Sequence, residues 1–214
     1  VATADPQSIS INSQNWKTPQ AVTITTYDDV DLEDETANIT VSGGTFSETI
    51  MLMVTDDDTQ NILLSASNLS LEEDGANGSI GISLAQQPSS DVVITVNSND
   101  ANTATVEPAT LTFTAENYAT EQNISVAPVA DENLVVNNTT IEVSSPNLTP
   151  QVITVGVVDT DAQSIIISDT SLTITEGQTA TITAYLRYEP AAAVDITATA
   201  STAAIQITPS TLTF

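Results

Sequence analysis

The chain is 214 residues long, 40% apolar but only 4% aromatic, and sets 28 acidic side chains against two basic ones, Lys17 and Arg187, for a formal charge of −26. That balance excludes nucleic acid and anionic membrane as direct partners, since both are bound through Lys and Arg. No apolar run approaches the roughly 20 residues of a membrane-spanning helix, and direct insertion is not expected.

In chain order, residues 1–61 belong to a unit that is then written again. Pro6-Gln-Ser-Ile-Ser-Ile with Trp16-Lys-Thr-Pro-Gln-Ala-Val-Thr-Ile is followed by Pro108-Ala-Thr-Leu-Thr-Phe with Tyr118-Ala-Thr-Glu-Gln-Asn-Ile-Ser-Val. Pro209-Ser-Thr-Leu-Thr-Phe214 opens a third copy, and the three prolines lie 102 and 101 residues apart. A fixed period of that size means a string of small domains, each one period long. The landmarks divide the chain into the C-terminal half of a repeat over 1–61, a complete repeat over 62–163 and the N-terminal half of a further repeat over 164–214. The two halves together span one repeat. Either the polypeptide continues on both sides, or the C-terminal half of one molecule completes the N-terminal half of the next in a head-to-tail assembly.

Within the complete repeat, Thr, Ser, Val and Ile dominate short segments separated by Asn/Asp/Gly/Pro clusters, which is strand-and-turn chemistry. The expected strands are a split first strand over 61–65 and 69–72, then 79–84, 92–97, 110–113, 122–127, 139–144 and 151–158. Without helical periodicity between them, these predict an all-β fold of tandem antiparallel immunoglobulin-like sandwiches, about seven strands to a repeat. Trp16 and Tyr118 fall at one position of the period. A recurring aromatic there reads as a plug for the sandwich end rather than as a platform for a sugar.

Successive strands of such a sandwich run up and down, so successive loops alternate between its two ends. One end then collects Glu72, Glu73, Asp74, Asp100, Asp131, Glu132, Asp159 and Asp161, while the other has Glu116 inside a loop and Asp91 and Glu121 at strand edges. The first copy repeats the bias with Asp28, Asp29, Asp31, Glu33, Asp34 and Glu35, then Asp56, Asp57 and Asp58. Charge that served solubility alone would be spread over both ends; converging carboxylates repel unless a cation sits among them. Ca²⁺ suits them, being a hard ion that takes six to eight oxygens at about 2.3–2.6 Å, whereas Mg²⁺ rarely uses an all-protein cage. With no His and no Cys in the chain, zinc lacks its usual ligands and a nucleophilic triad lacks its base, so no enzymatic activity is expected.

Trp16-Lys-Thr-Pro-Gln-Ala-Val-Thr-Ile-Thr, Asp28-Asp-Val-Asp-Leu-Glu-Asp-Glu-Thr36 and Val54-Thr-Asp-Asp-Asp58 together resemble the Calx-β family of Ca²⁺-binding sandwiches. That family occurs in sodium–calcium exchangers, integrin β4 and large bacterial surface proteins. The resemblance implies metal ligands at Asp28, Asp29, Glu33, Glu35, Asp56 and Asp58 in the first copy, and at Glu73, Asp100, Asp131, Asp159 and Asp161 in the second. The second copy departs from the pattern, because Asp131-Glu-Asn-Leu-Val-Val-Asn-Asn138 has lost most of the carboxylates of that loop. In the third copy Glu176 stands where Glu73 does, but 201–206 holds no acid. The implied function is a Ca²⁺-stabilised repeat segment of a long extracellular bacterial surface protein, an adhesin stalk or filament module. Its partners would be neighbouring repeats of the same or like chains, with any glycan or host-surface ligand held by a tip outside this segment. The rival reading is a module in which the repeats themselves grip a glycan or host protein.

Overall fold

Alternating apolar and polar residues put every second side chain on one face of a strand. The computed structural model, which describes residues 2–214, contains strands and no helix. The first copy supplies β1 (Ala2–Asp5) paired with β2 (Thr23–Thr26), and β3 (Glu35–Gly43) paired with β4 (Phe46–Val54). Nine strands follow in the complete repeat: β5 (Ile62–Leu64), β6 (Asn68–Glu72), β7 (Gly78–Leu84), β8 (Val92–Ser98), β9 (Ala104–Glu107), β10 (Thr110–Phe113), β11 (Gln122–Pro128), β12 (Asn137–Ser144) and β13 (Gln151–Val158). They form two sheets, one in the order β10-β8-β12-β13-β6 and the other β5-β7-β11-β9.

Two strands change sheets partway. β5 pairs with β7, and the chain then crosses at 65–67 so that β6 runs parallel to β13 in the opposite sheet, the one parallel pairing among the described residues. The second crossing was not legible as a strand. Residues 104–107 read as loop because Ala-Thr-Val-Glu offers a single branched aliphatic, yet β9 pairs with β11 while β10, just beyond Pro108, pairs with β8 in the other sheet. Proline has no N–H for a ladder, so a change of sheet at Pro108 leaves no rung unmade.

The core is aliphatic, as the composition requires. Ile80, Ile82 and Leu84 of β7 and Ile124 and Val126 of β11 face Ile94, Val96, Ile141, Val143, Ile153 and Val155 of the other sheet, all of them buried. Phe113 is the one fully buried aromatic. Tyr118 packs against this cluster at the end of the sandwich, and its carbonyl accepts the Leu84 N–H at 2.8 Å.

The partial copies keep the register of the complete one. Asp5 faces Thr23 as Glu107 faces Ser125, and Glu35 faces Val54 as Asn137 faces Val157. In the last copy β14 (Ile165–Ile167) pairs with β15 (Ala184–Leu186), setting Ile165 opposite Leu186 as Ile62 is opposite Leu84. Likewise β16 (Asp195–Thr197) pairs with β17 (Thr211–Thr213). Each partial copy carries a strand pair from both sheets, and what it lacks is a buried core. All 17 buried apolar side chains among the described residues lie between Ile62 and Val157. Trp16, the counterpart of Tyr118, is 65% exposed with the Lys17 ammonium 4.6 Å from its ring.

Candidate metal centre

The site of the complete repeat is placed by the parallel pair. The alternation of β6 carries past its end, so Leu71 and Glu73 point inward while Glu72 and Asp74 point to solvent. The Glu73 N–H donates to the Val158 carbonyl at 2.9 Å, which sets Glu73 beside the exit of β13 and hence beside Asp159 and Asp161. Oxygens of Glu73, Asp159 and Asp161 all lie within 4.8 Å of one another. The Asp131 N–H donates to Glu73 Oε1 in a very short hydrogen bond, which ties the loop between β11 and β12 to the same place.

The carboxylates are held by hydrogen bonds of their own loops. Asp131 Oδ1 accepts the Asn133 N–H at 2.8 Å and its Oδ2 accepts the Asn137 side-chain amide at 2.5 Å. Asp159 Oδ1 accepts the Asp161 N–H at 2.6 Å. Burial pushes the Glu73 carboxyl above its ordinary range; the Asp131 N–H opposes this, and the charges of Asp131, Asp161 and Asp159 add to the rise. No cation is among the groups acting on it. A carboxylate 7% exposed and surrounded by acids is costly to ionise unless a positive charge joins it.

The first copy builds the same loop from more acids. Asp29 Oδ1 accepts the Asp31 N–H at 3.4 Å, and Asp31 Oδ1 accepts the Glu33 N–H at 2.9 Å. One period later, Asp131 and Asn133 make the same two turns, Asn133 Oδ1 accepting the Val135 N–H at 2.7 Å. Two of the lost carboxylates, at the positions of Asp31 and Glu35, are therefore replaced by the amides Asn133 and Asn137, which keep the turn and hold Asp131. Oxygens of Asp29, Asp31 and Glu35 lie within 4.8 Å of one another. Partial burial and then Asp29 raise the Glu35 carboxyl above its ordinary range. Partial burial raises Asp58 too, followed by the charges of Asp28, Asp56, Asp57 and Asp29.

Three of the expected ligands of the complete repeat thus bring their carboxylates together, Glu73, Asp159 and Asp161, and Asp131 stands beside them through its N–H while Asn133 and Asn137 hold its carboxylate. Asp100 lies at the same end of the sandwich, since the Asn99 N–H donates to Thr140 and the Val129 N–H to Thr103, but its carboxylate serves its own turn. Its Oδ2 accepts the Thr103 hydroxyl at 2.8 Å and its Oδ1 the Asn102 N–H at 3.0 Å; these bonds hold it below its ordinary range. In the first copy Asp28, Asp29, Glu35, Asp56 and Asp58 converge, whereas Glu33 is exposed and stands outside the group. Glu176 is exposed in the turn closed by Gln178 N–H and Thr175 O, and no other carboxylate groups with it among the described residues. Two neighbours of the acids were missed. Asp31 was visible in the acidic run but was not singled out, and Tyr188, whose hydroxyl is held above its usual range by the nearby Asp161, comes from the following repeat.

The residues fit a hard cation. Oxygens about 2.4 Å from one centre lie within about 4.8 Å of each other, which is the spacing seen in both groups. No protein-family model and no curated protein matches the chain. Solved structures that resemble it include domains 4 and 5 of the S-layer protein SbsC, 21% identical over 58% of this chain and 58% of that one, with a TM-score of 0.41. The apo form of the Calx CBD1 domain is 13% identical over 49% of this chain and 100% of that one, TM-score 0.39. The E. coli chaperone DraB is 8% identical over 48% of this chain and 58% of that one, TM-score 0.38.

Proposed function

We propose that the chain is a Ca²⁺-stabilised structural segment of a long extracellular bacterial surface protein, serving as a stalk or filament module. The observation that carries the metal is Glu73, a buried carboxylate joined by Asp131, Asp159 and Asp161 with no cation in reach. Glu73, Asp131, Asp159 and Asp161 would hold the ion, which would supply the positive charge that their convergence requires. An extracellular setting would suit such a site, since Ca²⁺ modules there work at dissociation constants of about 10⁻⁴–10⁻³ M. The stalk reading rests on position. The acidic end of each repeat is also its exit, and only Thr59-Gln60-Asn61 or Ala162-Gln163-Ser164 separates it from the next first strand.

Calorimetric titration with Ca²⁺ tests the assignment of the site. Asp131→Ala and Asp159→Ala should each weaken binding by tenfold or more, roughly the loss of one charged ligand contact worth about 1.5–3 kcal/mol. Glu116→Ala, at the opposite end, should leave the isotherm unchanged. Equal losses at all three positions would show that binding is diffuse counterion condensation. Electron microscopy of the intact parent protein tests the stalk: slender rods in Ca²⁺ that become flexible in chelator are expected, and compact particles in both would exclude it.

A further inference from the structure

The two junctions between repeats are built alike by amide and carbonyl groups, with no carboxylate among the bonding atoms. Gln60 and Gln163 occupy the same position, two residues before β5 and β14. In each, the side-chain carboxamide takes the place of a backbone peptide. Gln60 Nε2 donates to the Gln86 carbonyl at 2.7 Å, while its Oε1 accepts the Gln86 and Asn61 N–H groups, both at 3.1 Å. Gln163 Nε2 donates to the Tyr188 carbonyl at 2.8 Å, and its Oε1 accepts the Tyr188 N–H at 3.2 Å and the Ser164 N–H at 3.0 Å.

These bonds extend a ladder. Ile62 faces Leu84, the Ala85 N–H then donates to Asn61 O at 3.0 Å, and the Gln60 side chain makes the next rung as the main chain departs. Ile165, Ser164 and Gln163 repeat the sequence against Leu186, Arg187 and Tyr188. Only a carboxamide can do this, because it presents a donor and an acceptor side by side as a peptide does. The residue after each rung reaches back across the junction. The Gln87 N–H donates to Val30 O at 2.6 Å and the Glu189 N–H to Glu132 O at 2.8 Å, both carbonyls lying in the acidic loop of the preceding repeat.

We propose that the linker glutamine, the loop after the next repeat's β7 or β15, and the preceding repeat's acidic loop form a latch that holds successive repeats in one orientation. A short covalent linker alone leaves domains free to swivel, which is the default for small interfaces. A second attachment away from the linker removes that freedom, and its recurrence one period later gives each junction the same geometry. The latch consists of amides and carbonyls, so it does not rest on the reading of the carboxylates as a Ca²⁺ site.

The chain has no cysteine, so Glu48→Cys and Glu142→Cys, both at exposed positions, place two spin labels on either side of the first junction. Double electron–electron resonance at saturating Ca²⁺ should give one narrow distance. Gln60→Ala should broaden the distribution by about twofold or more, toward the swivelling expected of an unlatched pair. Gln163→Ala in the same labelled chain should leave it narrow, because it opens the other junction. A broad distribution in the unsubstituted chain, no change in Gln60→Ala, or equal broadening by Gln163→Ala would each overturn the latch. Calcium titration of Gln60→Ala separates the two readings: unchanged affinity with a broadened distance supports a latch independent of the ion, and lost affinity would show that the glutamine acts through the metal site.

Discussion

Removing Ca²⁺ is expected to lower the melting temperature of this chain, and Glu73→Gln to melt below the parent in calcium but above it in chelator. A ligand that binds only the folded state stabilises it by about 2.7 kcal/mol at a hundredfold excess over its dissociation constant. For a domain of about 100 residues, each kcal/mol moves the midpoint by roughly 4–8 °C, so a shift on the order of 10 °C is expected. In Ca²⁺, Glu73→Gln loses a charged ligand and melts below the parent. In chelator, the parent keeps a buried carboxylate among Asp131, Asp159 and Asp161, while the variant carries a neutral amide and melts above it. The pH dependence has the corresponding sign. With its carboxyl raised above the ordinary range by burial, metal-free Glu73 binds its proton more tightly folded than unfolded. That contribution is fully present below the ordinary glutamate range and is lost as pH rises through the raised value. Mildly acidifying the chelated parent should therefore stabilise it at this site, and Glu73→Gln should abolish that gain. Thermal melts in Ca²⁺, in equal Mg²⁺ and in chelator decide the matter. A parent curve indifferent to chelator sinks the metal reading, as does a Glu73→Gln shift of the same sign in both media.

The second large effect is confined to the complete repeat. Ile11, Phe113 and Phe214 occupy the same position of the period, yet their exposures are 62%, 0% and 37%. Phe113→Ala removes the one fully buried aromatic from an otherwise aliphatic core and should cost about 3–5 kcal/mol, the range for large aromatic truncations that leave a cavity. Ile11→Ala and Phe214→Ala should each stay within about 0.5 kcal/mol, as exposed substitutions do. Urea denaturation of the three variants measures this directly. Comparable losses at all three positions would show that the partial copies bury these side chains in solution, against a second molecule or another segment of the parent protein.

Much of this was legible in the residues taken in order, because it depends on neighbours in sequence. Period-two alternation marked β7, β8, β10, β11, β12 and β13 to within a residue or two, and turn residues at fixed offsets exposed the repeat. The up-and-down sense of the strands then sent the acidic loops to one end. Strand β9 escaped because its four residues hold a single branched aliphatic, and only its partner β11 makes it a strand.

Which acids converge was decided by contacts between distant segments. Glu72, Glu73 and Asp74 are alike in sequence, but only Glu73 continues the inward phase of β6 and finds Val158 and Asp131. Asp100 shares their end of the sandwich and is kept apart by hydrogen bonds to Thr103 and Asn102. Asn133 and Asn137 read as losses of ligands, whereas the folded loop uses them to hold its turns and to orient Asp131. The glutamine rungs at 60 and 163 gave no local signal, since a linker glutamine is an ordinary polar residue until the loop at 86 or 188 comes beside it. Local chemistry determined where this chain is strand, where it turns and where its charge lies; only the packing of one sheet on the other, and of each repeat on the next, determined which of those groups meet.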